Sequence, residues 1–186
     1  MFRYLPGLAA IGLLLVATPS SSQTASLAQD LLRDWKAQRE TMRKIADAMP
    51  AEKFGFRATP PERTYGEQVL HVAGANVMLL KYLGSKAAPP FQTADADLGT
   101  FGLTMKTKTE ILKALDDSYA FGEAAIAEFP EQALVASIAG PRWIGQATRA
   151  KMIYYTLGHT QDIYGQMVVY LRLNGLTPPA SQRGGV

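Results

Sequence analysis

The chain has 186 residues, 47% of them hydrophobic and 19% charged, which is enough apolar material for one domain with a sizeable core. The formal net charge is only +3, and the basic residues do not cluster between aromatic ones, so we expect no nucleic-acid partner. Because the sequence contains no cysteine, disulfides, thiolate nucleophiles and cysteine-ligated zinc sites are excluded.

The N-terminal stretch has the three-part form of a secretory signal. Arg3 precedes an apolar run over residues 8–17, and small residues follow it over 18–22. The apolar run is too short to cross a bilayer comfortably as a helix, although an uncleaved anchor is the alternative. We predict a signal peptide over 1–22, a mature domain over 23–182 with no stable membrane span after processing, and a flexible tail over 183–186. The protein is then expected to be exported, either periplasmic or secreted.

Four long helices are predicted from apolar residues at helical spacing and from start and stop signals. The predicted helices span residues 26–49, 64–83, 107–129 and 148–174. Three of them begin with a capping box, in which a Ser or Thr is followed three residues later by Glu or Gln. The boxes are Ser26 with Gln29, Thr64 with Glu67, and Thr107 with Glu110.

The connections between the helices are rich in Pro, Gly and small residues. Residues 84–102 form a long loop, and residues 135–143 an irregular connector with short extended pieces. Four helices of this length predict an all-α four-helix bundle. The long loop between the second and third helices permits a crossover, so the simple up-down-up-down order is not required.

The last predicted helix has its bulky residues on one stripe and a clear stop. The stripe is formed by Met152, Tyr155, Ile163, Met167 and Tyr170. Asn174 and Gly175 cap the helix, and the prolines at 178 and 179 prevent its continuation. His159 lies on this stripe, one turn before Ile163.

His71 and His159 are the only histidines of the sequence. If the second and fourth helices are neighbours, the two imidazoles converge inside one end of the bundle. A divalent metal could then bind two neutral imidazoles, a carboxylate and a water. Glu67, one turn before His71, and Asp162, three residues after His159, are the candidate carboxylates.

Each of these residues also has a structural interpretation. An interior histidine is more often a hydrogen-bonded core residue than a metal ligand. Glu67 is already the partner of Thr64 in a capping box, and Asp162 fits a solvated helix face. Gln166 could orient a ligand, but an exposed helix face explains it equally well.

Two passages resemble the DinB/YfiT-like family of four-helix-bundle metalloenzymes. They are FGFRATPPERTYGEQVLHVAGAN, around His71, and HTQDIYGQMVVYLRLNGLTPPAS, near the C-terminus. The resemblance covers nearly all of the mature chain and implies an up-down-down-up bundle. It also implies a metal site of three histidines, one on the second helix and an H-x-x-x-H pair on the last. His71 matches the first of the three, and His159 the first of the pair.

The sequence departs from this pattern at the third ligand position, which is occupied by Ile163. Isoleucine has no lone pair to donate. We therefore expect a degenerate site at which zinc, nickel or manganese binds weakly or not at all, unless Asp162 or Glu67 compensates. Asp162 is one residue away, so its carboxylate points about 100° around the helix from the ligand position.

We therefore expect an exported DinB-like protein that binds a small-molecule ligand or has a non-catalytic role. One alternative is a divalent-metal-dependent hydrolase or transferase that uses His71, His159 and a carboxylate from Asp162 or Glu67. Another alternative is an interaction module that acts as a homodimer, which the resemblance also suggests.

Overall fold

Residues 26–182 are described by the computed structural model of the protein, and they form a helical bundle. The long helices are α1 (Leu27–Ala48), α2 (Tyr65–Leu80), α3 (Lys108–Ala127) and α5 (Arg149–Leu173). A short helix, α4 (Glu131–Leu134), and an antiparallel hairpin of β1 (Ser137–Ala139) and β2 (Gln146–Thr148) connect α3 to α5. The predicted signal peptide and the predicted tail lie outside the described residues. Within residues 26–182, no helix is long and apolar enough to cross a membrane.

The ends of the helices agree closely with the sequence prediction because their caps are local. Thr64 accepts a hydrogen bond from the backbone N–H of Glu67, whose carboxylate accepts from the N–H of Thr64. Thr107 and Glu110 form the same reciprocal box at the start of α3. Both predicted boxes are confirmed. The second helix is shorter than predicted, since its last residues tighten into a 3-10 turn before Gly84.

The predicted capping box of Ser26 with Gln29 is wrong. The Ser26 side chain caps no backbone group of α1 and instead donates a 2.6 Å hydrogen bond to the carboxylate of Glu131. The same carboxylate accepts the backbone N–H of Leu27 at 3.0 Å. A negative charge at this position also interacts favourably with the dipole of α1. A residue of α4 therefore caps the first helix.

Contacts between facing residues give the direction of each helix. Each long helix packs against two others, in the cyclic order α1, α3, α2, α5. Lys36 pairs with Glu123 and Asp47 pairs with Lys108, so α1 and α3 are antiparallel.

The other two helix pairs complete the topology. In α2 and α3, Gly66 lies against Ile111 and Asn76 donates to Ser118, so these helices run parallel. In contrast, α5 runs antiparallel to α2, because His71 faces His159 whereas the earlier Tyr65 faces the later Tyr170. This is the up-down-down-up bundle, and the fold prediction is confirmed. Because α2 and α3 point the same way, residues 84–107 must carry the chain back along the bundle.

Trp35 and Tyr119 form an aromatic pair in the core of the bundle. The indole N–H of Trp35 donates a 2.9 Å hydrogen bond to the backbone carbonyl of Tyr119, and the two rings are 4.9 Å apart. Gly122 on α3 lies directly against the indole of Trp35. This close approach is possible because Gly122 has no side chain.

The inward stripe of α5 differs from the prediction at one position. Tyr155 is 42% exposed, and the neighbouring Thr156 is fully buried in its place. The hydroxyl of Thr156 donates a 2.8 Å hydrogen bond to the carbonyl of Met152. Because its own helix satisfies the hydroxyl, threonine can occupy the core.

Candidate functional site

His71 on α2 and His159 on α5 face each other inside the bundle. Their ring centroids are 5.0 Å apart, and the ring planes meet at 62°. His71 is only 6% exposed, and His159 is partly buried. The antiparallel packing of α2 against α5 thus brings together two residues that are far apart in the sequence.

The crossover loop between α2 and α3 covers His71. The Nδ1 atom of His71 lies 2.8 Å from the carbonyl oxygen of Gly99. Since a carbonyl can only accept, Nδ1 carries the proton and Nε2 keeps a free lone pair. The ring of Phe101 packs on the imidazole at 5.2 Å, and a Cβ on Gly74 would lie 2.7 Å from Phe101. Glycine at position 74 is therefore required for the loop to approach.

Asp97 holds the loop in the shape that presents this carbonyl. Its two carboxylate oxygens accept the backbone N–H groups of Gly99 and Gly102, each at 2.8 Å. The hydrogen bonds from Gly102 and Gly99 lower the pKa of Asp97. The backbone of Phe101 adopts a positive φ of 56°, an uncommon conformation for a residue with a side chain. The sequence predicts this segment only as a loop and does not indicate its contact with His71.

Both imidazoles are neutral at pH 7. Burial lowers the pKa of His71 to about 4, and the positive charge of Arg63 contributes to the shift, while the hydrogen bond to Gly99 opposes it. Burial also lowers the pKa of His159, although the charge of Asp162 acts in the opposite direction. The Nε2 atom of His159 is buried and makes no hydrogen bond to any of the described residues.

A chain of polar side chains runs beside the histidine pair and joins α2 to α5. Arg63 Nε donates to Gln68 Oε1 at 3.0 Å, and Gln68 Nε2 donates to Gln166 Oε1 at 3.0 Å. Gln166 Nε2 then donates to Asp162 Oδ2 at 3.1 Å. Gln68 is fully buried. The sequence indicates Gln166 but not Arg63 or Gln68, because the hydrogen bond that joins Gln68 to Gln166 depends on the packing of α2 against α5.

The two candidate carboxylates interact with residues other than the two histidines. Glu67 accepts the N–H of Thr64 at 2.7 Å and forms an ion pair with Arg57 at 3.5 Å. Asp162 is exposed and accepts the hydrogen bond from Gln166. Among residues 26–182, no three His, Cys, Asp or Glu side chains lie close enough together to hold a metal ion.

Ile163 lies one turn after His159 and is 1% exposed, so a hydrocarbon side chain is buried at the expected third ligand position. The donors available in this arrangement are the two imidazoles. Catalytic zinc sites use three protein ligands. The side chains present therefore do not fit a resident metal of that kind.

A sequence profile of the DinB superfamily matches residues 34–167, which include both histidines and Ile163. The chain belongs to the DinB superfamily. Among solved structures, it is similar to a DinB-like protein from Bacillus cereus ATCC 10987, with 21% identity and a TM-score of 0.67. The alignment covers 81% of this chain and 95% of that chain, and it shows that the two share the DinB fold. No curated protein matches the chain.

For this DinB superfamily member, acidification is expected to destabilise the fold through His71. In an unfolded chain the pKa of histidine is about 6.5, whereas burial holds that of His71 at about 4. Between these values the unfolded state binds a proton that the folded state does not. The stability contributed by neutral His71 is therefore complete above pH 6.5 and is lost as the pH falls towards 4. At pH 4.5 the loss is roughly 2–3 kcal/mol.

Urea unfolding at pH 7 and pH 4.5 measures this effect in the wild type and in His71→Asn. Asparagine keeps an N–H donor near the carbonyl of Gly99 but does not titrate. The variant should therefore lose less stability on acidification than the wild type. Equal losses in the two proteins would contradict the assignment of the effect to His71.

Proposed function

We propose that this DinB superfamily member is a ligand-binding protein with a degenerate metal site, rather than a divalent-metal-dependent enzyme. The proposal depends on one observation, the buried Ile163 one turn after His159. An aliphatic side chain donates no lone pair. Its hydrocarbon side chain also occupies the position on the helix face where a third imidazole would have to lie. Two protein nitrogens are fewer ligands than a catalytic zinc site uses.

The groups around the histidine pair support a role in binding. Nε2 of His71 is an acceptor whose orientation is fixed by Gly99, and Nε2 of His159 has no partner among the described residues. A few fixed polar groups in a largely apolar environment are typical of small-molecule sites. A ligand that hydrogen-bonds to His159 would also remove the cost of leaving this buried atom unsatisfied.

One observation favours the metal-dependent alternative. Metal-binding histidines commonly donate their second ring N–H to a carbonyl or carboxylate, as His71 does to Gly99. In this alternative, His71 and His159 would hold zinc, nickel or manganese, and Asp162 or Glu67 would have to move to complete the site. The bound metal would supply Lewis-acid chemistry.

Metal analysis of the protein, purified without chelators, distinguishes these alternatives. We expect zinc, nickel and manganese to be far below one equivalent, and equally low in His71→Ala. The variant's helical content should be checked by circular dichroism, so that loss of fold is not mistaken for loss of a ligand. Close to one equivalent of metal in the wild type, lost in His71→Ala, would overturn the degenerate-site proposal.

Export and homodimer formation stay predictions. The predicted signal over residues 1–22 lies outside the described residues, and the structure contains a single chain. If the protein is exported, the ligand that we propose is one encountered in the periplasm or outside the cell.

A further inference from the structure

Arg63 carries a partly buried positive charge beside the histidine pair. Its Nε atom is used by Gln68, and its Nη1 atom lies 3.5 Å from the carbonyl of Leu98, the residue before Gly99. No carboxylate of residues 26–182 forms an ion pair with it, whereas Arg57 of the same loop pairs with Glu67. Burial lowers the pKa of Arg63, but the guanidinium stays charged at neutral pH. This charge is available to a ligand.

A groove of about 430 Å³ opens directly onto Arg63. Gln166 provides a second polar group, and Ala58, Val169 and Tyr170 form an apolar wall. Among the described residues, Glu62 is the one carboxylate that lines the groove, and it is exposed. The volume suits a small organic molecule, and its wall suits an apolar or aromatic group.

The charges around the groove select the class of ligand. Planar guanidinium forms two parallel hydrogen bonds with a carboxylate, which adds geometric specificity to the charge attraction. Among the described residues that line the groove, Arg63 is the one cation. The charges of Glu62 and Asp162 act on Arg63 and would repel a doubly charged phosphate more strongly than a single carboxylate.

We propose that this groove binds a small organic carboxylate, with Arg63 holding the carboxylate and the apolar wall holding the rest of the molecule. The proposal rests on the proposed function, since it names the class of ligand that the metal-free protein would bind. The polar chain from Arg63 through Gln68 to Gln166 keeps the guanidinium fixed before the ligand arrives. Such preorganisation reduces the cost of binding.

Calorimetric titration of the protein with benzoate, after metal ions have been removed on a chelating resin, tests the proposal. Benzamide, which has the same shape without the charge, serves as the matched ligand. We expect benzoate to bind more tightly than benzamide, and Arg63→Gln to weaken benzoate binding by about tenfold or more. Arg57→Gln removes a nearby exposed arginine and should leave the affinity unchanged.

A second variant covers the case in which Arg63→Gln does not fold. Glu62 is exposed, so Glu62→Gln should preserve the structure, and removal of its negative charge should tighten benzoate binding several-fold. Equal binding of benzoate and benzamide, or benzoate affinity that neither variant changes, would overturn the carboxylate site. Those results would leave the degenerate-site proposal intact, because that proposal is tested by metal content in the absence of chelator.

Discussion

Substitution of Ile163 by histidine is expected to create a divalent-metal site and to raise zinc affinity by roughly 100-fold or more over the wild type. The new imidazole would lie one turn after His159 on the same face of α5 and would add a third nitrogen to the pair. The hydrogen bond from His71 to Gly99 already fixes the tautomer that presents a lone pair. One substitution should therefore restore a three-histidine donor set.

Competition with a chromophoric chelator measures the zinc affinity of the wild type and the variant. Tyr164→His is the matched control, because it adds a histidine at the next residue of α5, about 100° around the helix. The control should bind zinc no better than the wild type. If Ile163→His also fails to gain affinity, position 163 is not directed at the histidine pair and the degenerate-site proposal loses its basis.

Substitution of Gly122 by alanine is expected to destabilise the fold by about 2 kcal/mol or more. A Cβ at this position would lie 2.8 Å from Cδ1 of Leu80 and closer still to the indole of Trp35. The indole cannot shift without breaking its hydrogen bond to Tyr119. The steric cost should therefore exceed the roughly 1 kcal/mol that alanine gains over glycine inside a helix.

Urea unfolding of Gly122→Ala and Gly165→Ala tests this directly. Gly165 is inside α5, is exposed, and would have no atom within 4 Å of an added Cβ. Gly165→Ala should therefore raise stability by up to about 1 kcal/mol. Equal changes in the two variants would show that the contact with Trp35 does not limit the packing of α3.

The sequence predicts the helices well because their signals are local. A threonine followed by glutamate three residues later marks the start of both α2 and α3, and the two residues meet within one helical turn. The approach of His71 to His159 was also predictable, but only on the condition that their helices are neighbours. The parallel direction of α2 and α3 followed from the family resemblance, since the local pattern leaves the order of the helices open.

The interactions that the sequence did not predict are non-local. The carboxylate that caps α1 comes from Glu131, and neither its charge nor its neighbours indicate that role. The hydrogen bond from Gln68 to Gln166 depends on how closely α2 and α5 pack. Sequence spacing carries no information about such contacts.

The cap of α1 also constrains the order in which the parts of the protein can fold during synthesis. The backbone N–H at the start of α1 donates its hydrogen bond to the carboxylate of Glu131, which comes more than a hundred residues later in the chain. A nascent chain therefore cannot complete the start of α1 until the ribosome has passed that codon. Helix α3 must have been made by then, so the earliest part of the bundle to be translated is among the last to reach its final state.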